Sequence, residues 1–118
     1  MKTLHTSTIE RERIEKIVRA AMRMSWKDFR SLTDKPFFNE ATMKEQFDLS
    51  SRELQGEKYH IDTNVRKHRD GTRMIFSKVI LENSAKRPLK LTLHGTDEGN
   101  DSKIWILTFN PEIDLGDL

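Results

Sequence analysis

KYHIDTNVRKHRDGTRMIFSKVIL, residues 58–81, is the stretch that decides the fold. Its first ten residues alternate. Tyr59, Ile61, Thr63 and Val65 fall on one parity, His60, Asp62, Asn64 and Arg66 on the other. Period two is the signature of a strand with one face in and one out. His68-Arg69-Asp70-Gly71-Thr72-Arg73 then reads as a hairpin turn, because Asp-Gly supplies the positive φ angles of a tight turn. Met74 to Leu81 is nearly all apolar or β-prone, which predicts a central strand covered on both faces. Two strands joined so closely must be antiparallel, since a parallel crossover needs a dozen or more residues.

The pattern continues toward the C-terminus. Glu82 to Pro88 is a loop, and Leu89, Leu91 and Leu93 alternate with Lys90, Thr92 and His94. Gly95 to Ser102 is a polar loop. Ile104 to Phe109 (IWILTF) is a last strand, apolar on both sides and stopped by Asn110-Pro111. Residues 111–118 read as an acidic tail that Ile113 and Leu115 could tether.

Toward the N-terminus the period changes. Ile14, Ile17, Val18, Ala21 and Met22 form one helical stripe, capped by Thr6, Ser7 or Thr8, and Trp26, Phe29 and Leu32 extend its apolar surface. Thr33-Asp34-Lys35-Pro36 breaks the region. Asn39 caps a second helix from Glu40 through Phe47. Asp48-Leu49-Ser50 reads as a turn, Ser51–Leu54 as a further helical turn, and Gly56 as a left-handed cap. The expectation is one α+β domain over 1–118. Two or three N-terminal helices (7–56) pack on a four-stranded antiparallel meander (57–110). Ile61, Ile80, Leu91 and Ile106 are expected in the core, faced by Ile14, Ile17 and Val18.

The 118 residues suit one domain. Hydrophobic residues make up 35% and charged residues 34%, so the core is thin. Without cysteine there are no disulfides, no thiol catalysis and no Cys-ligated zinc. The first residues are too polar for a signal peptide, and no apolar run reaches membrane-spanning length. A cytoplasmic protein without a membrane partner is expected.

Specific chemistry is hard to find. His60-x-Asp62 and His68-x-Asp70 invite a metal reading, but the second pair sits at a turn tip, poorly placed to converge with the first. No metal, cofactor or catalytic residue is assigned, and the reading favours a non-enzymatic protein. Ala41–Leu54 resembles a helix-turn-helix in Met43, Phe47, Leu49 and Leu54, and departs from it at Lys44 and Asp48. Its second helix would be too short for a major groove, so a structural role is expected.

Charge is the remaining signal. The net charge is +2, yet residues 56–93 hold nine Lys or Arg against four acids. From His94 onward one Lys stands against six acids. A sheet face away from the helices would carry His60, Asp62, Asn64, Arg66, Lys90, Thr92 and His94, with Phe76 or Trp105 among them. Which residues of the second strand join it depends on whether the Asp70-Gly71 turn has two or three residues. Cations with an interleaved ring on a sheet suit single-stranded nucleic acid. The leading expectation is a regulatory or accessory protein contacting nucleic acid through Arg66, Arg69, Arg73, Lys78, Lys90, His94 and Trp105. Asp97, Glu98 and Asp101 are the acids placed to oppose it. Two alternatives stand beside it. One is a protein-protein adaptor, inhibitor or homodimer using the apolar strand IWILTF or the Met/Trp surface of the first helix. The other is a cone-like domain with a small-molecule pocket.

Overall fold

The computed structural model describes residues 4–112. Three helices, α1 (Thr8–Met22), α2 (Trp26–Ser31) and α3 (Glu40–Leu54), precede four strands. These are β1 (Tyr59–Lys67), β2 (Arg73–Leu81), β3 (Leu89–Gly95) and β4 (Ile104–Pro111). The strands form an antiparallel sheet in the order β1-β2-β3-β4. The α+β meander read from the periodicity is therefore present. The acidic tail beyond Glu112 lies outside the described residues.

α1 opens on a capping box. Glu10 N–H donates to Ser7 Oγ at 3.2 Å, and Ser7 N–H donates to Glu10 Oε1 at 2.8 Å. The helix ends in a Schellman turn, with Met24 N–H on Ala21 O and Ser25 N–H on Ala20 O. Ser25 then caps α2, so Trp26 and Phe29 start a separate helix instead of prolonging α1. α3 runs unbroken through Asp48-Leu49-Ser50, where the sequence suggests a turn. Lys44 and Asp48 pair at 2.7 Å along the helix, and Ser50 Oγ donates to Phe109 O at 2.8 Å. Those side-chain bonds occupy the groups that would otherwise favour a turn. With no turn there is no helix-turn-helix. Gly56 follows α3 at φ 73°, the expected left-handed cap.

The helices cover one sheet face. Ile17, Val18, Phe29, Leu91, Leu93 and Phe109 fill the space between the layers with no exposed surface. Phe29 is the hub, with ring centroids of Phe47, Trp26 and Phe109 at 4.8, 5.7 and 6.0 Å. Leu91 and Ile106 are buried as expected, and half-buried Ile61 packs against the core. Ile80 is a correction: it lies with Phe76 on the uncovered face, half-exposed. β2 is accordingly covered on one face, not two. Its apolar run misleads because Phe76 and Ile80 occupy positions where polar residues are usual.

The two sheet edges differ. Along β4, Ile104 N–H donates to Asp34 Oδ2, Ile106 N–H to Thr33 Oγ1 and Phe109 N–H to Gln46 Oε1, at 2.8–3.0 Å. Along β1, Lys58 O accepts from Glu82 N–H, and His68 N–H donates to Thr72 O. These bonds set even-numbered residues of β1 toward β2. The amides of Ile61, Thr63 and Val65 therefore turn outward. Among the described residues no strand pairs with that edge.

Candidate functional site

The β1–β2 turn decides which residues share the uncovered face. Gly71 N–H donates to His68 O at 3.0 Å, and Gly71 alone takes positive φ, 92°. The loop therefore has three residues, Arg69-Asp70-Gly71, a type I turn closed by a left-handed glycine. Asp70 stays at negative φ and accepts from Thr72 N–H and Oγ1 at 3.0 and 2.7 Å. Those bonds hold its carboxyl below the ordinary value of 3.8.

With that turn, the registers set three rows across the open face. Asn64, Phe76, Thr92 and Thr108 make the middle row. Arg66, Met74, His94 and Trp105 make the row on the hairpin side. Asp62, Lys78, Lys90 and Asn110 make the row on the far side. Phe76 stands at the centre, 40% exposed, with the Arg66 guanidinium 5.9 Å from its ring centroid. A shallow groove runs past Asn64, Phe76, Lys78, Lys90 and Thr92.

Two features bound this face. At one side Phe38, 82% exposed, lies against Trp105 at 4.4 Å between centroids, and Lys35 Nζ is 5.8 Å from the Trp105 ring. His94 Nδ1 and Trp105 Nε1, neighbours in register, are covered and have no hydrogen-bond partner among the described residues. At the other side Glu112 Oε1 lies 3.3 Å from Lys78 Nζ and 3.5 Å from Lys90 Nζ.

The seven residues chosen from sequence divide accordingly. Arg66, Lys78, Lys90, His94 and Trp105 share the open face. Arg69 is exposed on the turn at its end. Arg73 is on the opposite face, 1% exposed, and leaves the set. Its Nε and Nη2 donate to Glu10 at 2.7 and 3.1 Å, and Nη2 also reaches His5 O. These bonds to Glu10 hold the guanidinium above its ordinary value despite burial. Glu98, expected to oppose the basic face, instead approaches Arg73 at 3.4 Å. Glu112 is the acid that meets the lysines, and sequence reading missed it, as it missed Phe38. Glu112 is two residues beyond Asn110, at same-face spacing, but the intervening Pro111 hides that continuity.

Compared with protein-family models, curated proteins and solved structures, the chain matches none.

Proposed function

We propose that this protein is a binding module that takes single-stranded nucleic acid across the open face of its sheet. The observation that carries the reading is Phe76, exposed in the middle of the face under Arg66, with Lys78 and Lys90 one row away. An exposed ring accepts a base without regard to its identity, while cations around it neutralise phosphates. Asn64 and Thr92 flank the ring and offer hydrogen bonds to base edges. An accessory or regulatory role follows from such a surface more naturally than catalysis does.

The test is a fluorescence-anisotropy titration of a labelled 20-nucleotide strand at several salt concentrations. Arg66, Lys78 and Lys90 bring three positive charges, and Glu112 between the two lysines offsets one, so about two phosphates are neutralised and log K should fall with log salt at a slope near −1.4. Phe76→Ala should weaken binding by about 1–3 kcal/mol, the worth of one stacked base. Absence of binding at low salt, to single and double strands alike, would overturn the reading. An adaptor working through the apolar strand has less support, because the edge of β4 is already hydrogen-bonded to Thr33, Asp34 and Gln46.

A further inference from the structure

Lys78 and Lys90 are direct partners in register on adjacent strands. Like charges opposite one another on a sheet repel. Asp62 faces Lys78 from β1 but makes no ion pair with it, so the compensation comes from elsewhere. It comes from Glu112, whose single oxygen Oε1 lies within 3.5 Å of both ammonium groups. The carboxylate is held there by its own backbone: Glu112 N–H donates to Pro88 O at 2.7 Å, continuing the β3–β4 pairing past Pro111. One oxyanion between two ammonium groups is the arrangement a phosphate oxygen would adopt. Glu112 is 30% exposed and both lysines more so, which leaves the pair open to exchange with a ligand from solvent.

We infer that Lys78 and Lys90 form a phosphate site that Glu112 occupies from within the chain, so that a bound phosphate group must displace the carboxylate. This rests on the nucleic-acid reading of the open face and adds to it the place where the backbone is gripped. Arg66 and Phe76 hold a base at the centre of the sheet, and the lysine pair takes a phosphate one row away. The carboxylate competes with every anion for the two ammonium groups and so lowers affinity for each of them. The shared chemistry is a phosphate group, whether of a polynucleotide or a free phosphoanion.

The experiment compares wild type, Glu112→Gln and the double variant Glu112→Gln/Lys90→Gln. Each is titrated with labelled 20-nucleotide oligothymidylate across a salt series, and with inorganic pyrophosphate by amide chemical shifts at positions 78 and 90. Losing an exposed ion pair is a small effect, so Glu112→Gln should bind the oligonucleotide about two- to five-fold more tightly. Its salt slope should steepen by about 0.7, one additional phosphate. The double variant should lose the gain. If wild type binds but Glu112→Gln matches it in affinity and slope, the inference fails and the nucleic-acid reading stands. If neither binds the oligonucleotide at low salt, that reading fails. Pyrophosphate then decides the site alone: larger shifts in Glu112→Gln than in wild type support it, and equal or absent shifts overturn it.

Discussion

Arg73 and Arg66 are seven residues apart in one hairpin and read alike as basic strand positions. Their environments are opposite. Arg73 shares parity with Ile75, Ser77 and Val79 and is drawn under the helices, where Glu10 receives it in two hydrogen bonds. Burying a guanidinium is costly unless a carboxylate meets it with good geometry. Glu10 also closes the capping box of α1, so one carboxylate ties the helix start to the sheet. Glu10→Gln should destabilise the fold by about 3 kcal/mol, because it leaves the buried guanidinium with only the exposed, more distant Glu98 as its counter-charge. Urea denaturation measures this, and a loss of only a few tenths would show that the pair is solvated. Asp70 offers a milder check. Its folded carboxyl titrates lower than an unfolded one because Thr72 donates two hydrogen bonds to it. The resulting stability is present above the ordinary aspartate range and is lost as pH falls through the folded value. A carbon-detected NMR titration should place the Asp70 midpoint below 3.8.

At the scale of elements, the strands were more legible than the helix boundaries. Alternation from Tyr59 to Val65 and from Leu89 to Leu93 marks a buried face directly, because the period of a strand is independent of its neighbours. The end of α1 is different. Met24 adopts φ 56°, a conformation that glycine usually supplies and that no side-chain pattern announces. The left-handed conformation costs a non-glycine residue about 1–2 kcal/mol, and glycine's extra chain entropy returns part of that. Met24→Gly should therefore raise stability by up to about 1 kcal/mol, read as a higher urea midpoint at unchanged slope. A destabilised variant would place the contribution of Met24 in packing. The continuity of α3 was equally invisible, since the bond that keeps Ser50 helical runs to Phe109, 59 residues away. The same limit applied to the candidate site. Arg66, Lys78, Lys90 and His94 were readable as charges on strands, but face membership required the turn length. Glu112 required the pairing to continue past a proline.

Across the whole molecule the sheet is asymmetric in its edges. The segment after α2 lies along β4 and satisfies its outward amides with Thr33 and Asp34, while α3 supplies Gln46. At β1 the outward amides face no described strand. Amide hydrogen exchange should report this, with Ile106 protected and Thr63 and Val65, whose amides point away from β2, exchanging faster. Thr33→Val should speed exchange at Ile106 selectively, and an unchanged rate would show that the hydroxyl is not its protection.

A sheet with one sealed edge can be extended only once. Unpaired strand edges are how folded domains recruit one another into ladders, and a ladder grows without limit only if each added copy presents a fresh edge. Here a copy that joined through β1 would present β4, whose bonds are already taken. Such association ends at a closed pair of sheets related by a twofold axis. The three side chains beside β4 thus set an upper bound on the size of any assembly built through strand edges, and keep the unpaired edge of β1 from becoming the seed of a fibre.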